Sequence, residues 1–156
     1  KKQFVIFWSF IGFLVSILTT LTIEDKKNLI FTKTVFESII PFNFLKSITL
    51  NKGIIDSYSI DIIAKNCFKD KSKIYNLIIV EKDSKDIYYE LCTQISKYLN
   101  QKNIFVKDDL SDIDENEINY LLVKAGSTKR NELNDSLEDI NFLNVKVSGW
   151  FLINNV

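Results

Sequence analysis

The chain has 156 residues, and its 20 basic side chains balance its 20 acidic ones, so it lacks the positive excess expected of a nucleic-acid-binding surface. Histidine, the commonest general base and metal ligand, is absent, and two cysteines are too few for a zinc site made of thiolates. We interpret Cys67 and Cys92, which have apolar neighbours, as small buried hydrophobic side chains rather than a disulfide framework.

The N-terminal segment from Phe4 to Ile23 contains no charged residue. About 20 helical residues at 1.5 Å each match the hydrocarbon thickness of a bilayer, so the segment predicts a transmembrane helix. A cleaved signal peptide is the alternative, because Lys1 and Lys2 precede the apolar run. The run is longer than a typical signal-peptide core, and residues 19–23 offer no cleavage site between small side chains. We therefore expect a retained helix.

Three small side chains within this segment, Ser9, Gly12 and Ser16, would allow membrane helices to pack closely. Ordinary tolerance of small residues in lipid explains them equally well. Lysines flank both ends of the segment and favour a cytoplasmic C-terminal side only slightly. Because the chain contains no methionine, we expect it to be a piece of a longer protein.

The next part of the chain alternates between helical and extended patterns. A short amphipathic helix is predicted over residues 34–40, and it ends at Pro41, the single proline. A strand is predicted over residues 44–50 and a helix over residues 57–68.

The C-terminal half has clearer periodicity. Residues 75–80 form a continuous apolar run typical of a strand buried on both faces. Apolar residues from Ile87 to Leu99 recur at helical spacing. Strands are predicted over residues 104–106, 118–123 and 145–153. Before the last of these, Ser127 or Thr128 is expected to cap a helix whose apolar stripe spans residues 133–143.

These elements predict an α/β protein with one N-terminal transmembrane helix followed by a small, mostly parallel sheet of four or five strands with flanking helices. The predicted domains are the membrane helix (1–24), a juxtamembrane helix and strand (25–50) and an α/β domain (51–156). The acidic run over residues 108–117 is interpreted as a solvated loop, with a metal site as the less favoured alternative.

Several stretches resemble one protein family. They are the glycine-containing run GFLVSIL over residues 12–18, VFESIIPF over residues 35–42, YLLVKAGSTKRNEL over residues 120–133 and NVKVSGWFLIN over residues 144–154. In this order they resemble the C-terminal part of polysaccharide copolymerases, the Wzz-like chain-length determinants fused to a bacterial tyrosine-kinase-like domain. The resemblance implies a P-loop NTPase-like fold. It also implies a single-pass position in the bacterial inner membrane, with the C-terminal domain in the cytoplasm.

The residues that carry the family's chemistry are mostly replaced. The matching phosphate-binding loop, residues 80–87, has no glycine, and Asp86 stands where a Mg²⁺-binding hydroxyl is expected. Lys85 matches the loop lysine, and Asp109 matches the second aspartate of the next motif, whose first aspartate is replaced by Lys107. We therefore predict a degenerate P-loop with Lys85 and Asp109 as vestigial nucleotide-binding residues. We predict no catalytic residue, no metal and no cofactor.

The resulting hypothesis is a membrane-anchored, non-catalytic component of surface polysaccharide biosynthesis, acting as a scaffold in chain-length regulation or export. By resemblance, its partners are further copies of itself, the polysaccharide polymerase or export machinery, and the lipid bilayer, with no nucleic acid. One alternative is a nucleotide-binding switch or kinase-like ATPase with a diverged P-loop. Another is a generic membrane-tethered interaction domain.

Overall fold

The computed structural model describes residues 11–19, 28–81, 83 and 85–155, and its ordered elements form one α/β sheet domain. Residues 11–19 are helical. The other helices are α1 (Lys33–Ile39), α2 (Ser57–Cys67), α3 (Lys85–Leu99) and α4 (Arg130–Phe142). The strands are β1 (Phe44–Asn51), β2 (Ile54–Ile55), β3 (Tyr75–Ile79), β4 (Ile104–Lys107), β5 (Ile118–Lys124) and β6 (Val147–Asn155).

The sheet has six strands in the order β2-β1-β6-β5-β3-β4. β6 pairs in parallel with both β1 and β5, and β3 pairs in parallel with both β5 and β4. β1 and β2 are antiparallel. From β3 the chain passes first to β4 on one side and then to β5 on the other side. The strand order therefore reverses between β3 and β5.

Each face of the sheet carries its own hydrophobic core because side chains alternate along every strand. One core lies under α2 and α3, where Ile63 and Leu91 pack against Leu77 and Phe151. The other lies under α1 and α4 and centres on the fully buried Trp150. When the strand order of a sheet reverses, connections that all cross over with the same handedness place helices on both faces of the sheet.

The predicted fold class is wrong about the sheet, which is mixed and has six strands rather than four or five. The reason is the two-residue turn between β1 and β2, in which Lys52 and Gly53 adopt φ values of 52° and 82°. A turn with positive φ at both central residues reverses the chain directly, so β2 must run antiparallel to β1.

The predicted membrane helix is also corrected. Within the ranges described above, no helix has both the length and the apolar character needed to cross a bilayer. Of the predicted span Phe4–Ile23, residues 11–19 are helical. The remainder of that span lies outside the described residues. The transmembrane assignment and the inner-membrane localisation are contradicted by this finding.

Most of the predicted helices and strands beyond residue 28 are confirmed, with ends displaced by at most three residues. The predicted cap of α4 is wrong. Lys129 occupies the N-cap position and makes no side-chain capping hydrogen bond. The hydroxyl of Thr128 instead accepts a hydrogen bond from the backbone N–H of Lys124 at 2.8 Å.

Candidate functional site

The candidate site lies at the carboxyl ends of β3 and β5, where the strand order reverses. In open α/β sheets this crevice is where ligands bind. Two connections border it: one leads from β3 into α3, and the other, residues 125–129, leads from β5 into α4. A nucleotide-binding domain would place its phosphate groups here, against loop amides and the N-terminus of a helix.

A buried carboxylate of the chain itself lies at this crevice. Glu81, two residues beyond the end of β3, is 3% exposed. The Tyr88 hydroxyl donates to its Oε2 at 2.5 Å, and the Thr128 hydroxyl donates to its Oε1. Tyr88 and Thr128 are both fully buried. We call Glu81, Tyr88 and Thr128 the Glu81 network; it joins β3, α3 and the loop before α4.

Burial raises the pKa of Glu81 above the usual range of a glutamate, because the charged form loses its hydration. The hydrogen bonds from Thr128 and Tyr88, together with the nearby positive charge of Lys124, oppose this rise. Because the hydrogen-bond donors are built into the fold, the carboxylate is satisfied without any ligand.

The backbone amides of the loop between β5 and α4 are likewise used within the chain. Gly126 N–H donates to the carbonyl of Ile30 at 2.8 Å, and Arg130 N–H donates to the carbonyl of Asn28 at 2.8 Å. Both acceptors belong to the 28–31 segment, which lies over this loop. The amides of Ala125, Ser127 and Thr128 donate to carbonyls at the ends of β5 and β6. Loop amides of the kind that would cradle a phosphate are therefore already paired here.

Lys85, predicted as a vestigial phosphate ligand, is the first residue of α3. Its ammonium group forms an ion pair with the carboxylate of Asp108, just beyond β4, and the hydrogen bond to Asp108 raises the pKa of Lys85. Asp109, the second predicted ligand, accepts a hydrogen bond from the backbone N–H of Ser111 at 2.9 Å. Lys85 therefore pairs with Asp108, the residue next to the predicted ligand Asp109.

The remaining predicted residues lie far from this crevice in sequence. Gly12 and Ser16 belong to the helical residues 11–19, and the Ser16 carbonyl accepts a hydrogen bond from Thr19. Ser9 lies outside the described residues. Across the described part of the chain, no three His, Cys, Asp or Glu side chains are grouped as a metal ion would require.

Sequence reasoning missed the buried position of Glu81. A signal was available, since Glu81 follows the four apolar residues 77–80 and stands seven residues before Tyr88 on the apolar stripe of α3. These positions predict that Glu81 lies close to Tyr88 only once β3 and α3 are known to pack together.

Comparisons of the chain with family models, with curated proteins and with solved structures gave no match. The resemblance to polysaccharide copolymerases therefore stays a prediction from the motifs.

Proposed function

We propose that this chain is a non-catalytic binding domain that serves as a scaffold in surface polysaccharide assembly. It would retain the doubly wound sheet of a nucleotide-binding domain without a working phosphate site. The single observation that carries the non-catalytic part is the Glu81 network, which places a buried carboxylate at the crevice where the strand order reverses. The polysaccharide context is supported by the family-like motifs over residues 35–42, 120–133 and 144–154.

The electrostatic argument against phosphate binding can be given a magnitude. A phosphate charge about 5 Å from an ionised Glu81 would be repelled by about 3 kcal/mol at an effective dielectric constant near 20. That repulsion corresponds to a loss of roughly 100-fold in affinity per unit charge. Displacing Glu81 instead would leave the buried hydroxyls of Tyr88 and Thr128 without their acceptor, at a cost of about 1–3 kcal/mol each.

The nucleotide-switch alternative is tested by thermal unfolding of the full chain with Mg-ATP up to millimolar concentration. A ligand that binds the folded state must raise the midpoint of unfolding. We expect no shift. A dose-dependent rise that disappears in Lys85→Ala would overturn the proposal and establish a diverged nucleotide site. The matched control is Lys97→Ala, which removes an exposed lysine from the other end of α3.

The polysaccharide context is tested in the source organism. The length distribution of surface polysaccharide is compared by gel between cells with and without the parent gene. We expect the modal length to be lost or shifted without the gene and restored by a copy carrying Lys85→Ala. An unchanged distribution would remove the polysaccharide context and leave a generic interaction domain.

A further inference from the structure

A long groove runs beside α4 on the sheet face opposite α2 and α3. It encloses about 920 Å³. Ile78 of β3 and Val80, just beyond the strand, form its floor, the carboxylate-bearing side of α4 forms one wall, and residues 108–110 form the other. We call this surface the α4 groove.

The groove exists because one crossover lacks a helix. Parallel strands are usually joined through a helix that covers the sheet. The connection from β4 to β5, residues 108–117, contains none. Leu110 and Ile113 of this connection pack onto the core under α4, but they do not replace a helical layer. By strand alternation Phe105 of β4 faces the same side as Ile78, and it is 45% exposed. A strip of sheet beside α4 is therefore left without a covering helix.

The walls of the groove carry acidic side chains, and the described residues that line it include no lysine or arginine, although Lys85 pairs with Asp108 of one wall. Glu132, Asp135 and Asp139 follow one another at spacings of three and four, so they form a stripe along α4. Lys129 pairs with Glu132 at 2.7 Å. Asp135 and Asp139 form no ion pair with any residue that the structure describes.

The end of the stripe is apolar and exposed. Phe142, one turn beyond Asp139, is 87% exposed, and the adjacent Leu143 is 46% exposed. Both also line the groove. An acidic stripe that ends in an exposed aromatic side chain is complementary to a helix carrying basic residues at the same spacing and an apolar residue at one end.

We propose that the α4 groove binds a basic amphipathic helix of a partner protein, laid alongside α4 in the layer that the β4–β5 crossover leaves open. This inference rests on the proposed scaffold function, because it names the kind of partner that the scaffold would hold. The length of α4, 13 residues or about 20 Å, sets the length of helix that can lie fully alongside it.

The test uses a synthetic 18-residue peptide with lysines and leucines on adjacent helical stripes. A second peptide of the same composition in scrambled order serves as its control. Binding of each fluorescently labelled peptide to the full chain is measured by anisotropy at low and moderate salt. We expect the amphipathic peptide to bind at least tenfold more tightly than the scrambled one.

The double variant Asp135→Lys, Asp139→Lys is expected to lose tenfold or more of that affinity. Its matched control is Asp86→Lys, Glu90→Lys, which makes the same charge change at exposed positions four residues apart on α3, on the other sheet face. The control is expected to bind within twofold of the unmodified chain. Equal losses in the two double variants, or equal binding of both peptides, would mean attraction by overall charge alone and would overturn the proposal.

Sedimentation of the chain without peptide distinguishes a second occupant. Self-association that Asp135→Lys, Asp139→Lys abolishes would assign the groove to another copy of this chain and overturn the proposal. The peptide experiment can fail while Mg-ATP still produces no stabilisation, in which case the scaffold function stands and only its partner is wrong. Stabilisation by Mg-ATP that disappears in Lys85→Ala overturns the scaffold function whatever the peptides do.

Discussion

Replacing Tyr88 with phenylalanine tests whether the Glu81 network holds the carboxyl ends of the strands together. The substitution removes one hydroxyl from a fully buried ring and leaves the packing of the ring unchanged. The lost hydrogen bond joins the hydroxyl to Glu81 Oε2 at 2.5 Å, in a site without access to water that could replace it. Hydrogen bonds to charged groups contribute about 1.5–3 kcal/mol, so we expect the free energy of unfolding to fall by about 2 kcal/mol.

The matched control is Tyr98→Phe, on the same helix. Its hydroxyl donates to Asp61 at 2.9 Å, but the side chain is half exposed, so water replaces the lost bond. We expect a change within about 0.5 kcal/mol. Urea unfolding of the full chain measures both variants. With a slope near 2 kcal/mol/M, Tyr88→Phe should lower the midpoint by about 1 M at an unchanged slope. Equal midpoints for the two variants would refute the reasoning.

The penalty of Tyr88→Phe should also depend on pH. Burial raises the pKa of Glu81, so the folded chain binds this proton more readily than the unfolded chain does. The associated stability is fully present below the unfolded pKa of a glutamate and is lost as pH rises through the folded pKa. Loss of the Tyr88 donor raises the folded pKa further. We therefore expect the penalty to be larger at pH 8 than at pH 4, and a penalty independent of pH would contradict the assignment.

Other predictions follow from the same geometry. Glu81→Gln removes the buried charge, so the variant should gain stability relative to the unmodified chain as pH rises from 4 to 8. Urea unfolding measures the difference in free energy of unfolding, and a difference that stays constant with pH would contradict this. A Cβ atom at Gly149 would stand 2.7 Å from the Leu45 side chain, so Gly149→Ala should cost about 1–3 kcal/mol in thermal unfolding. Gly12→Ala, with no atom within 4 Å of the added Cβ, is its control, and equal losses would contradict the steric reason. Burial raises the pKa of Cys67 to about 11, so a thiol reagent at pH 7.5 should modify it roughly 100-fold more slowly in the folded chain than in urea, and similar rates would show that the thiol is not protected.

The strands and helices could be predicted from the sequence because their side-chain patterns are local. Residues 75–79 are apolar on both faces of a strand, apart from the buried Asn76, and the apolar positions between Ile87 and Leu99 fit a single helical stripe. The order of the strands could not be predicted, because the pairing of β1 with β6 joins segments about 100 residues apart. The β2 strand was missed because two residues carry too little periodicity to be recognised.

The candidate site was less predictable than the fold. A glutamate beside charged neighbours in sequence indicates a solvated loop, and residues 81–86 include four further charged side chains. What buries Glu81 is Thr128, 47 residues further along the chain, together with the helix that carries Tyr88. The same long-range packing makes the Thr128 hydroxyl a partner of Glu81 rather than the predicted helix cap. Local sequence propensity cannot predict a contact between residues 47 positions apart.

The position of β6 in the chain delays completion of the sheet during synthesis. β6 spans Val147–Asn155, yet it lies between β1 and β5 in the middle of the sheet. The β1–β2 hairpin therefore has no neighbouring strand to pair with until about 100 further residues have been made. At about 5–20 residues per second, this corresponds to roughly 5–20 s during which the apolar side chains of β1 lack their final partners. Any ribosome-bound chain that includes β1 but ends before residue 147 therefore lacks the strand that β1 pairs with in parallel.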